Sequence, residues 1–166
     1  MYARWIRRLH RAHIPAVLDA SGAALRAGLQ ARPWLIKPNR EEAQEALGRR
    51  LGTMGQVINA ARQLVRQGSQ VVILSLGKDG ALLAAASLDG IWHARPAKIR
   101  VVSAVGAGDS LIGGFLMGWR AHRPLLDAFR LGVACGTATA LSPGTELCHR
   151  KDVRRLMPRI AITRVA

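Results

Sequence analysis

A chain of 166 residues with 49% apolar side chains can bury one sizeable core and is too apolar to be a disordered tail. Its 25 Lys and Arg against 10 Asp and Glu give a formal charge of +15, which attracts phosphorylated metabolites, acidic surfaces or nucleic acid. The 2 cysteines lack metal-ligand spacing and give no disulfide framework, so the expectation is reduced thiols in a cytoplasmic protein; no apolar run is long enough to span a membrane.

In chain order, Ala3–His10 within MYARWIRRLHRAH predicts a basic amphipathic helix. A targeting peptide or a surface-binding helix has such a composition, but IPAVLD, Ile14–Asp19, follows at once as a strand, and an ordinary crossover helix is the simpler reading. SGAALRAGLQA predicts a short helix and PWLIKP a strand ended by Pro38. Arg40–Leu47 and Met54–Gln67 predict two helices. QVVILSL is a continuous apolar strand of the kind buried on both faces of a parallel sheet. GALLAAA and IWHARP predict a hairpin turning at SLDG. A glycine loop follows, then helices near Asp109–Arg120, Leu125–Leu141 and Lys151–Met157. This alternation predicts an α/β fold with a mostly parallel sheet and right-handed crossovers.

Open α/β sheets bind ligands beyond the carboxyl ends of their strands. Polar or glycine-bearing residues stand at such ends in Asp19 with Ser21-Gly22, in KPNREE, in SLGKDG and in VVSAVGAGDS. Gly106-Ala107-Gly108 before Asp109 allows close backbone approach, and its N–H groups can face an anion together with a helix N-terminus. Asp109 is equally readable as a favourable acidic cap. Asn39 and Glu42 fit either a capping box or a pair that organises hydrated Mg²⁺. No GxxxxGK[ST] motif occurs, and Lys78 reads as a solvated turn residue. Trp5, Trp34, Trp92 and Trp119 do not interleave with the scattered arginines, which argues against a nucleic-acid surface. The histidines share no ligand spacing, and Cys135 reads as a small buried hydrophobe.

As a set, VGAGDSLIGGFL, KPNREE and VVILSLGKDGALL resemble the signatures of the ribokinase-like PfkB family of carbohydrate kinases. VLDASGAAL and SPGTELC are similar to its phosphosugar branch of minor 6-phosphofructokinases, 1-phosphofructokinases and tagatose-6-phosphate kinases, most of all to the first. The resemblance implies a ribokinase-like three-layer α/β/α fold with a mostly parallel sheet. Residues 1–166 correspond to its C-terminal portion, the nucleotide-binding side with the catalytic aspartate, without the N-terminal half and lid. It implies ATP-dependent phosphorylation of a phosphosugar, with fructose 6-phosphate foremost; a 1-phosphofructokinase, a tagatose-6-phosphate kinase or a nonenzymatic nucleotide-binding fragment is the alternative.

Residue by residue, the resemblance implies that Asp109 is the catalytic base and that Gly106, Ala107 and Gly108 form the anion hole. Lys37, Asn39, Glu42, Ser75, Gly77, Gly80 and Gly108 would contact the nucleotide, with Mg²⁺ organised by Asn39 and Glu42. Gly132, Ala134, Gly136 and Ala138 would admit the adenine, or merely let two helices pack closely. A K⁺ site would use carbonyls of Ser103, Val105, Ser142, Gly144 and Glu146, although Ala104 and Glu146 depart from the family pattern. The implied partners are a small-molecule phosphosugar and either the missing half or a second copy, with no specific nucleic acid and no membrane.

Overall fold

The computed structural model describes all residues, 1–166. Its helices are α1 (Tyr2–Arg11), α2 (Gly22–Leu29), α3 (Arg40–Leu47), α4 (Met54–Arg66), α5 (Ala107–Arg120), α6 (Leu125–Thr139) and α7 (Arg150–Leu156). Its strands are β1 (Val17–Leu18), β2 (Leu35–Ile36), β3 (Val71–Ser75), β4 (Ala81–Ala85), β5 (Ile91–Arg95) and β6 (Ala161–Arg164). They form a six-stranded sheet in the order β1-β2-β3-β4-β5-β6. The chain divides into two units: Met1–Gly77 with Leu82–Trp92 and Arg164–Ala166, and Lys78–Ala81 with His93–Thr163.

In the first unit, β1, β2 and β3 are parallel, with Val17 opposite Leu35 and Leu35 opposite Val71. Side chains alternate between the faces of such strands. Val72 and Leu74 accordingly join Ile36, Leu82 and Ala84 in a cluster with Leu25 and Leu29 of α2, Ala43 of α3 and Val57, Ala60, Ala61 and Leu64 of α4. Val71 and Ile73 point the other way and are buried too. Burial on both faces is why β3 is an uninterrupted apolar run. α1 inserts Ile6 into the same core, while the Arg8 guanidinium stacks 5.7 Å above the half-exposed Trp5 ring. The crossover reading of this basic segment therefore has a structural basis: it covers the core and leads into β1.

Three boundaries differ from the sequence expectation. β1 and β2 shrink to Val17–Leu18 and Leu35–Ile36. Pro15, Pro33 and Pro38 flank them and have no N–H to extend a ladder. β6 was not anticipated: its side chains are mostly exposed, so no alternating apolar signal marks it. α5 starts at Ala107, ahead of the expected Asp109. No helix is long and apolar enough to cross a membrane.

In the second unit, α5 and α6 meet along a seam of glycines. A Cβ on Gly114 would stand 2.6 Å from Cys135 Sγ, and one on Gly118 would stand 2.7 Å from Ala128 Cα. From the other side, a Cβ on Gly132 would lie 2.6 Å from the Leu111 carbonyl oxygen and one on Gly136 would lie 2.8 Å from that of Ala107. These distances leave no room for a methyl group, and three of the four obstacles are backbone atoms that cannot swing aside. Phe115 and Phe129 are fully buried in this unit. We expect Gly132→Ala to cost about 1–3 kcal/mol, read as a lower urea midpoint with unchanged slope. Gly113→Ala, on the exposed side of α5 with nothing within 4 Å, is the control and should gain roughly 0.5–1 kcal/mol from helix propensity.

Candidate functional site

The parallel register of the first unit sets the carboxyl ends of β1, β2 and β3 side by side, with Leu18 opposite Ile36 and Ile36 opposite Val72. The next residues of β1 and β2 are Asp19 and Lys37, whose Oδ1 and Nζ are 3.4 Å apart. Lys37 is only 7% exposed. A buried ammonium without a counter-charge is costly, so Asp19 is what allows a lysine here. The Ser75 N–H donates to the Pro38 carbonyl at 3.0 Å, and a single parallel bridge joins Asn39 to Ser75. The KPN segment is thereby tied to the end of β3.

Asn39 is the N-cap of α3 and forms a complete capping box. Its Oδ1 accepts from the Glu42 N–H at 2.8 Å, and Glu42 Oε2 accepts from the Asn39 N–H at 2.8 Å. The capping alternative is thus realised. It occupies one carboxylate oxygen and leaves Glu42 Oε1 without a protein partner. No group of three or more His, Cys, Asp or Glu side chains converges on a metal position. A free carboxylate oxygen without an all-protein cage fits Mg²⁺, which keeps several of its waters. Gly77 closes this edge with φ +59° and open space over its Cα.

In the second unit the glycine loop becomes the start of α5. Gly106 is the N-cap in the left-handed region, φ +75°, a conformation that favours glycine, and no side chain caps the helix. The Ala107 N–H reaches the Ala104 carbonyl at 3.3 Å, while the N–H groups of Gly106, Gly108 and Asp109 have no acceptor. Asp109 lies in the first turn, is exposed, and its carboxylate takes part in no hydrogen bond or ion pair. The structure therefore does not use Asp109 as a cap. Thr139 donates to Ser110 Oγ at 2.7 Å, and Gly136 lies under the Ala107 carbonyl; together they hold the first turn of α5 against α6. The contact also accounts for Gly136 as a glycine: the space its side chain would take is filled by α5. Gly132 has the same explanation, while Ala134 and Ala138 are fully buried.

The segments 103–105 and 142–147 meet beside this turn. Ser103 Oγ donates to the Gly144 carbonyl at 2.8 Å and accepts from the Val105 N–H at 3.3 Å. The Ser142 hydroxyl donates to the Leu147 carbonyl at 3.4 Å. The Glu146 N–H donates to Pro143 at 3.2 Å, and its carboxylate pairs with His149 Nε2 at 2.8 Å. Carbonyl oxygens of Ser103, Val105, Ser142 and Glu146 remain as hard donors of the kind K⁺ takes; the Gly144 carbonyl already accepts one hydrogen bond. In the same unit, His93 Nε2 lies 2.7 Å from the Asp79 carbonyl oxygen and fixes the turn that carries Gly80, whose φ is +89°. Lys78 is exposed on that turn, in keeping with a solvated lysine. The residue whose role the sequence did not reveal is Asp19. Its place after an apolar strand was visible, but its pairing with Lys37 depends on strand register.

The model of the pfkB family carbohydrate kinases matches residues 1–152. The 1-phosphofructokinase of Bacillus subtilis is 40% identical over 149 residues, which are 90% of this chain and 48% of that protein. The crystal structure of phosphofructokinase-2 from Escherichia coli in complex with potassium superposes with a TM-score of 0.90 at 31% identity, over 95% of this chain and 51% of the other. Arabidopsis thaliana ribokinase complexed with ribose and ATP shares the fold, with a TM-score of 0.79 at 21% identity over 94% of this chain and 51% of the other. The fold is thus the ribokinase-like α/β fold, and the chain spans about half the length of the relatives it matches.

The capping box yields a test that separates stability from metal chemistry. A Gln at position 42 can accept the same N–H, so Glu42→Gln should change the urea-derived stability by less than about 0.5 kcal/mol. Asn39→Ala removes the cap and should cost about 1 kcal/mol.

Proposed function

The chain belongs to the PfkB family of carbohydrate kinases, and from that premise we propose that it is the nucleotide-side, catalytic part of an ATP-dependent kinase that converts a fructose monophosphate to fructose 1,6-bisphosphate. The observation that carries the reading is Asp109: an exposed, unpartnered carboxylate in the first turn of a helix whose neighbouring N–H groups are also unpartnered. Asp109 accepts the proton of the sugar hydroxyl as that oxygen attacks the γ-phosphorus of ATP, and ADP leaves. The N–H groups of Gly106, Gly108 and Asp109 donate to phosphate oxygens as negative charge redistributes over them. They are held in advance by the α5–α6 seam, so they need no reorganisation when charge develops.

In the first unit, Asn39 and Glu42 would hold hydrated Mg²⁺ through the Glu42 oxygen that the capping box leaves open, and Lys37 would contact a phosphate while Asp19 orients its ammonium group. Mg²⁺, when bound, neutralises charge on the phosphate oxygens. Ser75, Gly77 and Gly80 approach the nucleotide with small side chains or none. The carbonyls of Ser103, Val105, Ser142 and Glu146 supply a K⁺ site; the potassium complex of the Escherichia coli neighbour supports this reading. We place the reaction in the cytoplasm, in keeping with two free thiols.

For the substrate, the phosphosugar motifs in the sequence favour fructose 6-phosphate, and the Bacillus subtilis relative favours fructose 1-phosphate. Both give the same bisphosphate, and both depend on sugar contacts supplied by further sequence of the kind the longer relatives carry or by a second copy. A kinetic panel on the polypeptide that carries this segment distinguishes them. Turnover confined to phosphosugars supports the reading, and preference for an unphosphorylated sugar or a nucleoside overturns the substrate class. In the same polypeptide, Asp109→Asn should lower kcat by about 10²–10⁴-fold with little change in ATP affinity. Near-wild-type turnover would remove Asp109 from the base role, and nucleotide binding without turnover in the wild type would favour a nonenzymatic nucleotide-binding module.

A further inference from the structure

His93 is the only buried one of the five histidines, at 3% exposed, and the kinase reading gives it no role. A buried imidazole must place its ring N–H on an acceptor. Its Nε2 lies 2.7 Å from the Asp79 carbonyl oxygen, fourteen residues back in the chain. A carbonyl oxygen only accepts, so Nε2 carries the proton and the partner fixes the tautomer.

The carbonyl that His93 holds belongs to an otherwise poorly secured turn. Gly77, Lys78 and Asp79 form an exposed 3₁₀ turn, flanked by Gly80 with φ +89°. The Lys78 and Asp79 side chains make no hydrogen bond or ion pair that would steady it. Two contacts with the β5 end do so. The Ala94 carbonyl oxygen fills the place where a Cβ of Gly80 would stand, and Pro96 Cδ is 2.8 Å from the same point. That contact excludes a side chain but supplies no bond. The His93 hydrogen bond supplies the attraction. Because the peptide unit is planar, holding the Asp79 carbonyl also fixes the plane of the Asp79–Gly80 peptide.

Resting on the kinase reading, in which Gly77 and Gly80 approach the nucleotide, we propose that His93 is a positioning residue for nucleotide binding. Its Nε2–H anchors the Asp79 carbonyl and keeps the Lys78–Gly80 backbone in the shape the nucleotide meets. His93 itself touches no substrate and acts through the backbone. Without the anchor, the turn must be ordered as the nucleotide binds, and that cost falls on affinity. The chemical step is centred on Asp109 at the start of α5, so its rate does not depend on this bond. A histidine that merely filled space would be replaceable by leucine; one that positions the turn needs its N–H.

The first test uses the native 166-residue chain without ligand. A long-range ¹H–¹⁵N spectrum should show His93 protonated at Nε2, and a ring protonated only at Nδ1 overturns the proposal on the wild-type chain alone. His93→Leu removes the donor at similar size, and His93→Gln returns an N–H at comparable reach. Backbone order parameters of Lys78, Asp79 and Gly80 should fall from about 0.85 in the wild type to under about 0.6 in His93→Leu. They should recover in His93→Gln, with α5 and α6 unchanged in both. In the polypeptide that carries this segment, His93→Leu should raise KM for ATP about 2–10-fold, the size of one hydrogen bond. kcat should stay constant, and His93→Gln should restore KM. A lowered kcat with constant KM, or equal effects of Leu and Gln, overturns the positioning role. ATP that shifts the turn amides of the wild type while His93→Leu leaves their order parameters unchanged overturns the anchor alone. A turn that loosens in His93→Leu but is unmoved by ATP in the wild type overturns the nucleotide reading of this turn, and the positioning role with it.

Discussion

The second unit depends on how closely α6 lets α5 approach. Gly114 and Gly118 on one helix and Gly132 and Gly136 on the other remove the side chains that would otherwise keep the axes apart. The contact is short, and much of it is backbone against backbone, so it has little freedom to slide. It continues to the first turn of α5, where Gly136 lies under the Ala107 carbonyl and Thr139 bonds Ser110. The position of Asp109 and of the N–H groups around it is therefore set by packing deep in the unit. A site that must hold phosphates by backbone donors needs that kind of support, because small displacements of a donor forfeit much of its effect.

A second constraint concerns helix beginnings, where the first N–H groups have no intrahelical acceptor. α3 and α4 meet it internally, with reciprocal boxes at Asn39–Glu42 and Thr53–Gln56. α5 begins on a left-handed glycine and leaves donors open around an exposed acidic side chain. The same physical requirement thus produces a closed structural cap in one place and a turn with open backbone donors in another. Glu42 combines both solutions, since one of its oxygens caps the helix and the other is free for a hydrated cation.

Much of this was legible in the sequence because it is local. The period of Arg40–Leu47 and its capping pattern gave that helix to the residue, and the unbroken apolar run of Val71–Leu74 gave a strand buried on both faces. The motif set at the strand ends pointed to the family. What was not legible depends on contacts distant in sequence. Pairing of Asp19 with Lys37 follows from the register of β1 and β2. The glycines of α6 were open to two readings until α5 was seen to fill the space above them. β6 carried no burial signal. Asp109 was singled out in the sequence with two readings, and its exclusion from capping required the true start of α5.

The excess of arginine complicates any binding measurement, since a charge of +15 attracts a nucleotide to many places at once. Exposed charges are screened within about 8 Å at physiological ionic strength, whereas oriented backbone donors at a helix start act at contact. Residue-resolved detection separates the two. The most direct measurement is a ¹⁵N amide titration of the chain with ATP and Mg²⁺ at rising salt. Shifts of the Gly106, Gly108 and Asp109 amides that persist when salt is raised are the predicted result. Shifts restricted to arginine-rich segments that fade with salt, with those three amides unmoved, would contradict the account.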